Sequence, residues 1–425
     1  MPYFVHLLFM NFLYSILIWF ANIGLKLVAP FNQKIKLFVD GRNETFSKLE
    51  SSIKKDDEVV WMHAASLGEF EQGRPIIEKL KENHPSKKLV VTFFSPSGYE
   101  IRKNYEVADV VCYLPLDSKK NMRRFVNLVK PELAIIVKYE FWPNLLLQLK
   151  KNKVKTILIS GIFREKQIFF KWYGRWFRKS LNAFEHFFVQ DENSKKLLNS
   201  INFKNVSISG DTRFDRVFEI TKQNNELDFV RQFVNNSYTV VAGSTWEEDE
   251  NLLVDYINNS ATKDEKFIIA PHNIKAIDIQ ELKKTFTKNT VLYSEKEGKN
   301  LENYQVFIID TIGILTKIYS YASVAYVGGG YTKSGIHNIL EPATFGIPIV
   351  IGPNYDKFKE AIDLVKLEAC FKVDSIQKIS VFLKKLYKDK SEREIAGEKA
   401  KNYVVSNLGA TSKILNYLNN ERKTK

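Results

Sequence analysis

Short apolar runs rich in β-branched residues recur along most of the chain, and stretches of helical periodicity separate them. In the first half the runs fall at 59–65, 89–94, 110–114, 133–137, 156–160, 186–190 and 206–209. In the second half they fall at 239–242, 267–270, 291–293, 306–309, 324–327 and 349–351. Continuous apolar strands between amphipathic helices, such as 73–83 and 118–128, predict parallel sheets covered on both faces. Two such sets predict two doubly wound α/β domains. The polar stretch 221–227, TKQNNEL, marks the join. The expected layout is an N-terminal segment to residue 29, a first domain over 30–222 and a second over 223–425, with residues 419–425 frayed. Two facing domains of this kind leave a cleft at the carboxyl ends of their strands, the usual ligand site of such folds.

Ahead of the first strand the pattern changes. Residues 4–23 are apolar over about the length needed to cross a bilayer as a helix, with His6, Asn11 and Asn22 as polar interruptions. No Lys or Arg precedes the run and no small-residue cleavage site follows it, which argues against a secretory signal. Lys26, Lys34 and Lys36 come just after it. The expectation is a transmembrane or deeply inserted anchor, with the body of the protein cytoplasmic.

Composition narrows the classes. The 425 residues suit two domains, and 44% hydrophobic with 26% charged residues is ordinary for a folded protein. Two cysteines and six scattered histidines, with no HExxH and no CxxC, exclude a disulfide scaffold and a zinc site. No cofactor or metal is expected. The net charge of +14 favours a polyanionic partner: nucleic acid, an anionic membrane or a phosphorylated lipid.

Five segments carry candidate chemistry. The strongest is YVGGGYTKSGIHNILEPATFGIPIVIGP, residues 326–353. Here Gly328, Gly329 and Gly330 follow a strand and would let a phosphate approach bare backbone. A helix starting near Asn338 would point its positive end at the same place. Glu341 suits two vicinal ribose hydroxyls. The segment is neither GxGxxG nor a P-loop. In WMHAASLGEF, residues 61–70, Ser66 and Glu69 are spaced as a capping box, a structural device. Glu69 also lies at the carboxyl end of the first strand, where a carboxylate can act as general base on a hydroxyl. A helix N-terminus would lower its proton affinity, so burial would have to offset that. KYEFWPN, residues 138–144, places Glu140 after another strand. GDTRFD, residues 210–215, offers the Arg213 fork to a carboxylate or phosphate. Finally, residues 163–188 interleave Arg164, Lys171 and Arg175 with Trp172 and Trp176. That mixture suits a headgroup interface and also resembles single-strand nucleic-acid binders.

WMHAASLGEF, KYEFWPN, GDTRFD and the 326–353 motif, in this order behind an N-terminal anchor, resemble the bacterial 3-deoxy-D-manno-octulosonic acid (Kdo) transferases over nearly the whole chain. The resemblance implies a GT-B fold, two Rossmann-like domains about a central cleft. It implies inverting transfer of Kdo from CMP-Kdo to a lipid A precursor at the cytoplasmic leaflet of the inner membrane. It marks Glu69 as the general base and Glu140 as a second acidic position on the acceptor side. Gly329, Gly330, His337, Asn338 and Glu341 match the donor-binding motif, and Arg213 stands where the family usually has Lys. Three departures stand out: SGIFREKQ around Arg164, Ala270-Pro271-His272, which keeps only the His of a PRH-type segment, and GGG in place of GG[ST]. Other readings are a GT-B enzyme using a UDP-sugar on another membrane lipid, a non-catalytic lipid-binding protein, or an RNA-binding protein. The last rests on charge alone, since no RNA-binding motif is present.

Overall fold

The computed structural model describes the backbone of residues 2–423 and the side chains of residues 10–420. The chain divides into two units, Met1–Asp215 with Gly409–Lys425, and Arg216–Leu408. The first holds β1 (Val59–Ala64), β2 (Lys88–Phe93), β3 (Val110–Tyr113), β4 (Pro131–Val137), β5 (Lys155–Gly161), β6 (His186–Val189) and β7 (Val206–Ile208). They form one parallel sheet in the order β3-β2-β1-β4-β5-β6-β7. Alternate residues of β1 feed two cores. Val59 and Trp61 join Phe125, Leu145 and Phe187 on one face, and Val60, Met62 and Ala64 join Phe70, Ile76 and Ile135 on the other. Burial on both faces is why these strands read as unbroken apolar runs. The chain winds outward from β1 to β3, then restarts on the other side of β1 with β4. The order in which strands are added therefore reverses between β1 and β4, while all strands stay parallel.

The second unit repeats the plan with β8 (Tyr238–Thr245), β9 (Glu265–Pro271), β10 (Thr290–Leu292), β11 (Val306–Ile308), β12 (Val324–Val327), β13 (Ile349–Ile351) and β14 (Cys370–Lys372). Its order, β10-β11-β9-β8-β12-β13-β14, places the reversal between β8 and β12. Thirteen of these fourteen strands coincide with the predicted runs. The exception, β14, is three residues at a sheet edge with only Cys370 buried, too short to leave a periodic signal.

The C-terminal helix Ala410–Lys423 goes with the first unit, not with the second, to which the sequence reading gave residues 223–425. Ile414 and Leu418 pack among Val60, Ile76 and Leu80. The Asp215 carboxylate caps the helix, accepting from the amides of Gly409 and Thr411 at 2.6 Å each. This capping bond and the apolar packing also explain why the boundary falls at Asp215–Arg216, ahead of the polar stretch. The helix Pro2–Val28 opens the chain. Residues 10–31 form a stretch of mean hydropathy 1.7, long and apolar enough to cross a membrane.

Candidate active site

In open α/β sheets, ligands collect where the strand order reverses, outside the carboxyl ends of the strands. The first unit places Glu69 and Glu140 there, one after β1 and one after β4. Glu69 sits in the first turn of the helix Leu67–Asn83. Its Oε2 accepts from the Ala65 amide at 2.6 Å. The expected capping box is not closed, because Ser66 holds the cap position without a side-chain cap bond and the carboxylate reaches past it to Ala65. Burial raises the Glu69 pKa above the usual glutamate value, and the negative charge of Glu140 raises it further. The Ala65 bond, Lys138 and His63 pull the other way and are outweighed.

Glu140 is only 8% exposed. Lys138, just after β4, takes the left-handed φ of 63° and turns the chain out of the strand. The Oε2 of Glu140 accepts from Trp142 Nε1 at 2.6 Å and contacts His63 Nε2 at 3.1 Å. The Nδ1 of His63 faces Thr92 Oγ1 at 2.9 Å, and the same hydroxyl accepts from Trp61 Nε1 at 2.9 Å. The Thr92 backbone carbonyl, which only accepts, also lies 3.1 Å from Nδ1. Thr92 therefore holds the ring at Nδ1 and turns Nε2 toward Glu140. Trp142 in turn stacks on Phe94 at 4.8 Å and 25°. Trp61, Thr92, His63 and Trp142 thus fix one buried carboxylate beside the more open Glu69.

Elsewhere in this unit, Arg164 is exposed and lies 5.4 Å over the Tyr139 ring, next to Glu140. The Arg213 guanidinium folds onto Asp211, with Nε at 2.8 Å from Oδ2. Its fork is therefore partly engaged by its own loop. Lys171, Trp172, Arg175 and Trp176 lie at and before the helix Arg175–Leu181. The two tryptophans differ: Trp172 is 89% exposed, whereas Trp176 is 3% exposed and packs on Tyr14.

In the second unit, Gly328, Gly329 and Gly330 follow β12 at the other reversal point. Their lack of side chains serves the protein's own packing. Gly329 has a φ of +90°, and a Cβ on Gly330 would lie 2.5 Å from the Gly352 backbone. The Gly328 amide donates to Gly243 O and the Gly329 amide to Asp249 Oδ2, at 2.9 and 2.8 Å. Neither amide is left over for a phosphate. The helix expected from Asn338 is the five-residue Leu340–Thr344, too short for a sizeable macrodipole. Asn338 still serves its start, accepting from the Leu340 amide at 3.2 Å while donating to Glu341 Oε1 at 3.1 Å. Glu341 Oε2 accepts from Thr316 at 2.8 Å.

Trp246, His272 and His337 stack at the ends of their strands. Trp246 lies on His272 at 4.5 Å and 19°, and His272 meets His337 at 4.6 Å. Trp246 Nε1 donates to His337 Nε2 at 3.1 Å, which places the His337 proton on Nδ1. Burial, helped by the neighbouring His272, pushes the His337 pKa down to about 4 and keeps the ring neutral. His63, Thr92, Trp246 and Asp249 were not singled out from the sequence, and Trp142 was read only as a turn and packing residue. Trp142 and His63 lay inside quoted motifs, and the acidic run after Trp246 marked a helix start.

These two parallel seven-stranded α/β units have the GT-B architecture. The structure of UDP-GlcNAc 2-epimerase from Neisseria meningitidis bound to UDP-GlcNAc matches with a TM-score of 0.59 at 15% identity, over 85% of this chain and 99% of that one. That likeness speaks to the fold. Residues 40–216 match the family described as 3-deoxy-D-manno-octulosonic-acid transferase (kdotransferase). The 3-deoxy-D-manno-octulosonic acid transferase of Aquifex aeolicus is 27% identical over 352 residues, 81% of this chain and 91% of that protein. A bifunctional glycosyltransferase/methyltransferase of Fusobacterium nucleatum is 25% identical over 391 residues, 88% of this chain. The chain spans 59% of that longer relative. Over these residues the chain is similar to the Kdo transferases, a family of glycosyltransferases.

Proposed function

We propose that the protein transfers Kdo from CMP-Kdo to a glucosamine hydroxyl of a phosphorylated lipid A precursor, with inversion and with Glu69 as general base. The observation that carries this reading is the carboxylate pair at the first reversal point. Glu69 has a raised proton affinity and a more open position, and Glu140 beside it is held by two contacts, from Trp142 Nε1 and His63 Nε2. A base must hold a proton well enough to remove it from an alcohol as the new bond forms. The hydroxyl oxygen attacks the anomeric carbon of Kdo, its proton passes to Glu69, and the bond to the CMP phosphate breaks with its electrons on the phosphate.

On the donor side, Gly330, His337, Asn338 and Glu341 are the candidates for nucleotide and phosphate, with Gly328 and Gly329 shaping the turn. Arg213 and His272 remain candidates for an anion. On the acceptor side, Arg164, Lys171 and Arg175 suit lipid phosphates, and exposed Trp172 suits the headgroup layer. The apolar N-terminal helix tethers the chain to the inner membrane, and the lysines after it favour the cytoplasmic face. The net charge of +14 then reads as attraction to a phosphorylated lipid and its leaflet, not to nucleic acid.

The test is mass spectrometry of a lipid A precursor incubated with the protein and CMP-Kdo. One or more added Kdo masses are expected, with CMP released. With Glu69→Gln the gain should fall by about 10²- to 10⁴-fold. No mass gain with the unaltered protein, or near-normal turnover by the variant, would show the reading to be wrong.

A further inference from the structure

The N-terminal helix is attached to the first unit at two places, and the attachments decide how it can meet a membrane. Tyr14 donates its hydroxyl to Asp117 at 2.9 Å and packs its ring on Trp176 at 5.4 Å. Asp117 is no mobile surface group. It is 2% exposed and accepts from the amides of Asn144 and Leu145 at 2.9 and 2.8 Å. At its other end the helix passes through buried Ala29 into the helix Gln33–Asn43, whose Arg42 donates to the Phe94 carbonyl at 2.7 Å. These two fixed points bracket residues 15–31. A helix of that length rises roughly 25 Å, most of the hydrocarbon thickness of a bilayer. A crossing helix would put Asp117 and Arg42 near opposite faces of the membrane, although both belong to one folded unit. Lys119 and Lys120, just after Asp117, are exposed and would be carried into hydrocarbon, where ionised lysine is costly.

The two faces of the helix agree with this. Asn11, Tyr14, Ser15, Ile18, Asn22 and Leu25 are half-buried and recur at helical spacing. Leu13, Leu17, Phe20, Leu27 and Phe31 are exposed and form an outward stripe. The described polar residues that interrupt the apolar run therefore fall on the half-buried side, and the outward stripe is free of them. Beside Trp176, Trp172 and Tyr173 are 89% and 50% exposed, with Lys171 next in the chain. Tryptophan and tyrosine favour the headgroup level of a bilayer.

We propose that this helix lies in the plane of an anionic membrane surface, immersing its Leu13–Leu17–Phe20–Leu27 stripe together with Trp172, and does not cross the bilayer. The inference rests on the tether reading above and replaces a spanning anchor with a one-sided one.

The experiment uses the full chain in its membrane. Cys112 and Cys370 are both buried, so a cysteine introduced by Pro2→Cys is the reactive thiol. A membrane-impermeant thiol reagent should label it in inside-out vesicles and not in intact spheroplasts. A second variant, Tyr14→Cys with Trp176→Cys, should be joined in those vesicles by a bis-maleimide reagent long enough to replace the two packed rings. Labelling from outside the spheroplast, or a failure of the pair to cross-link in membrane-bound and active protein, would overturn the in-plane arrangement alone. Recovery of the full chain in the soluble fraction would overturn the tether reading and this inference with it.

Discussion

The Glu69–Glu140 pair makes a prediction about the direction of a pH shift. Glu140→Gln keeps the shape of the side chain, and a Gln carbonyl oxygen can still accept from Trp142 Nε1 and His63 Nε2. What it removes is the negative charge. That charge is the second cause of the raised Glu69 pKa, after burial. Two unit charges several ångströms apart in a half-open site interact by on the order of 1–2 kcal/mol. This corresponds to about one pH unit. A general base works when deprotonated, so activity rises with pH through the Glu69 pKa. In the variant the acid limb of kcat/KM should move to lower pH by about one unit. It should stop short of the ordinary glutamate value, because burial is untouched. The plateau should fall only modestly, by about 3- to 10-fold, since a weaker base still accepts the proton. The assay is CMP release against pH with saturating lipid acceptor, for the unaltered protein and the variant. An acid limb that stays in place, or moves to higher pH, would refute the argument that Glu140 sets the basicity of Glu69.

Further outcomes follow from the same contacts. His63→Leu leaves Glu140 with one fewer donor and should lower kcat about 10- to 100-fold, whereas His63→Gln, which can restore a donor, should recover most of it. The comparison is made by steady-state kinetics, and equal losses in both would remove His63 as a positioning residue. Trp246→Phe keeps the stack on His272 but removes the bond to His337, so KM for CMP-Kdo should rise about 2- to 10-fold with kcat little changed. A drop in kcat alone would count against a role in donor binding. The His337 pKa is lowered from 6.5 to about 4 in the folded protein. Between those values the unfolded chain binds a proton that the folded one refuses, so stability falls as pH drops through that window. The full shift corresponds to about 3 kcal/mol, and partial solvent exposure reduces it to roughly half. Urea midpoints at pH 7 and pH 5 should therefore converge in His337→Gln relative to the unaltered protein, and an unchanged gap would remove His337 as its cause.

Most of the fold was legible because strands buried on both faces leave unbroken apolar runs. Trp61 and Met62 point to opposite cores, so neither face of β1 had to be polar. The C-terminal helix was not legible as part of the first unit. Its amphipathic pattern says that Ile414 and Leu418 are buried, but not against which sheet, and the capping contact from Asp215 crosses 194 residues to Gly409. The site divided in the same way. Glu69 and Glu140 could be placed at strand ends because each directly follows a strand whose position in a doubly wound sheet is predictable. Thr92 was missed because it looks like an ordinary strand residue. Its importance depends on the pairing of β1 with β2, which sets His63 opposite Thr92 in register.

The glycine motif was legible in a different way. Its residues were placed at the end of a strand, but the sequence did not show what the backbone of two of them meets. Gly328 and Gly329 spend their amides on Gly243 and Asp249, and a glycine run after a strand does not by itself say whose backbone comes close. What distinguishes the second reversal point is the ring stack that follows from it. Trp246 follows β8, His272 follows β9, and His337 comes from the loop after β12. Three neighbouring strands therefore each deliver one ring, and the stack forms only if the strand order is β9-β8-β12. The order that creates the reversal point also assembles the group that marks it. In the first unit the order β2-β1-β4 brings Thr92, His63 and Glu140 into one hydrogen-bonded line by the same logic. Any change that shifts β1 against β4 by one residue would turn His63 to the opposite face of the sheet and separate it from Glu140. The register of that single strand pair therefore controls both the core packing of Trp61 and the position of the carboxylate beside the proposed base.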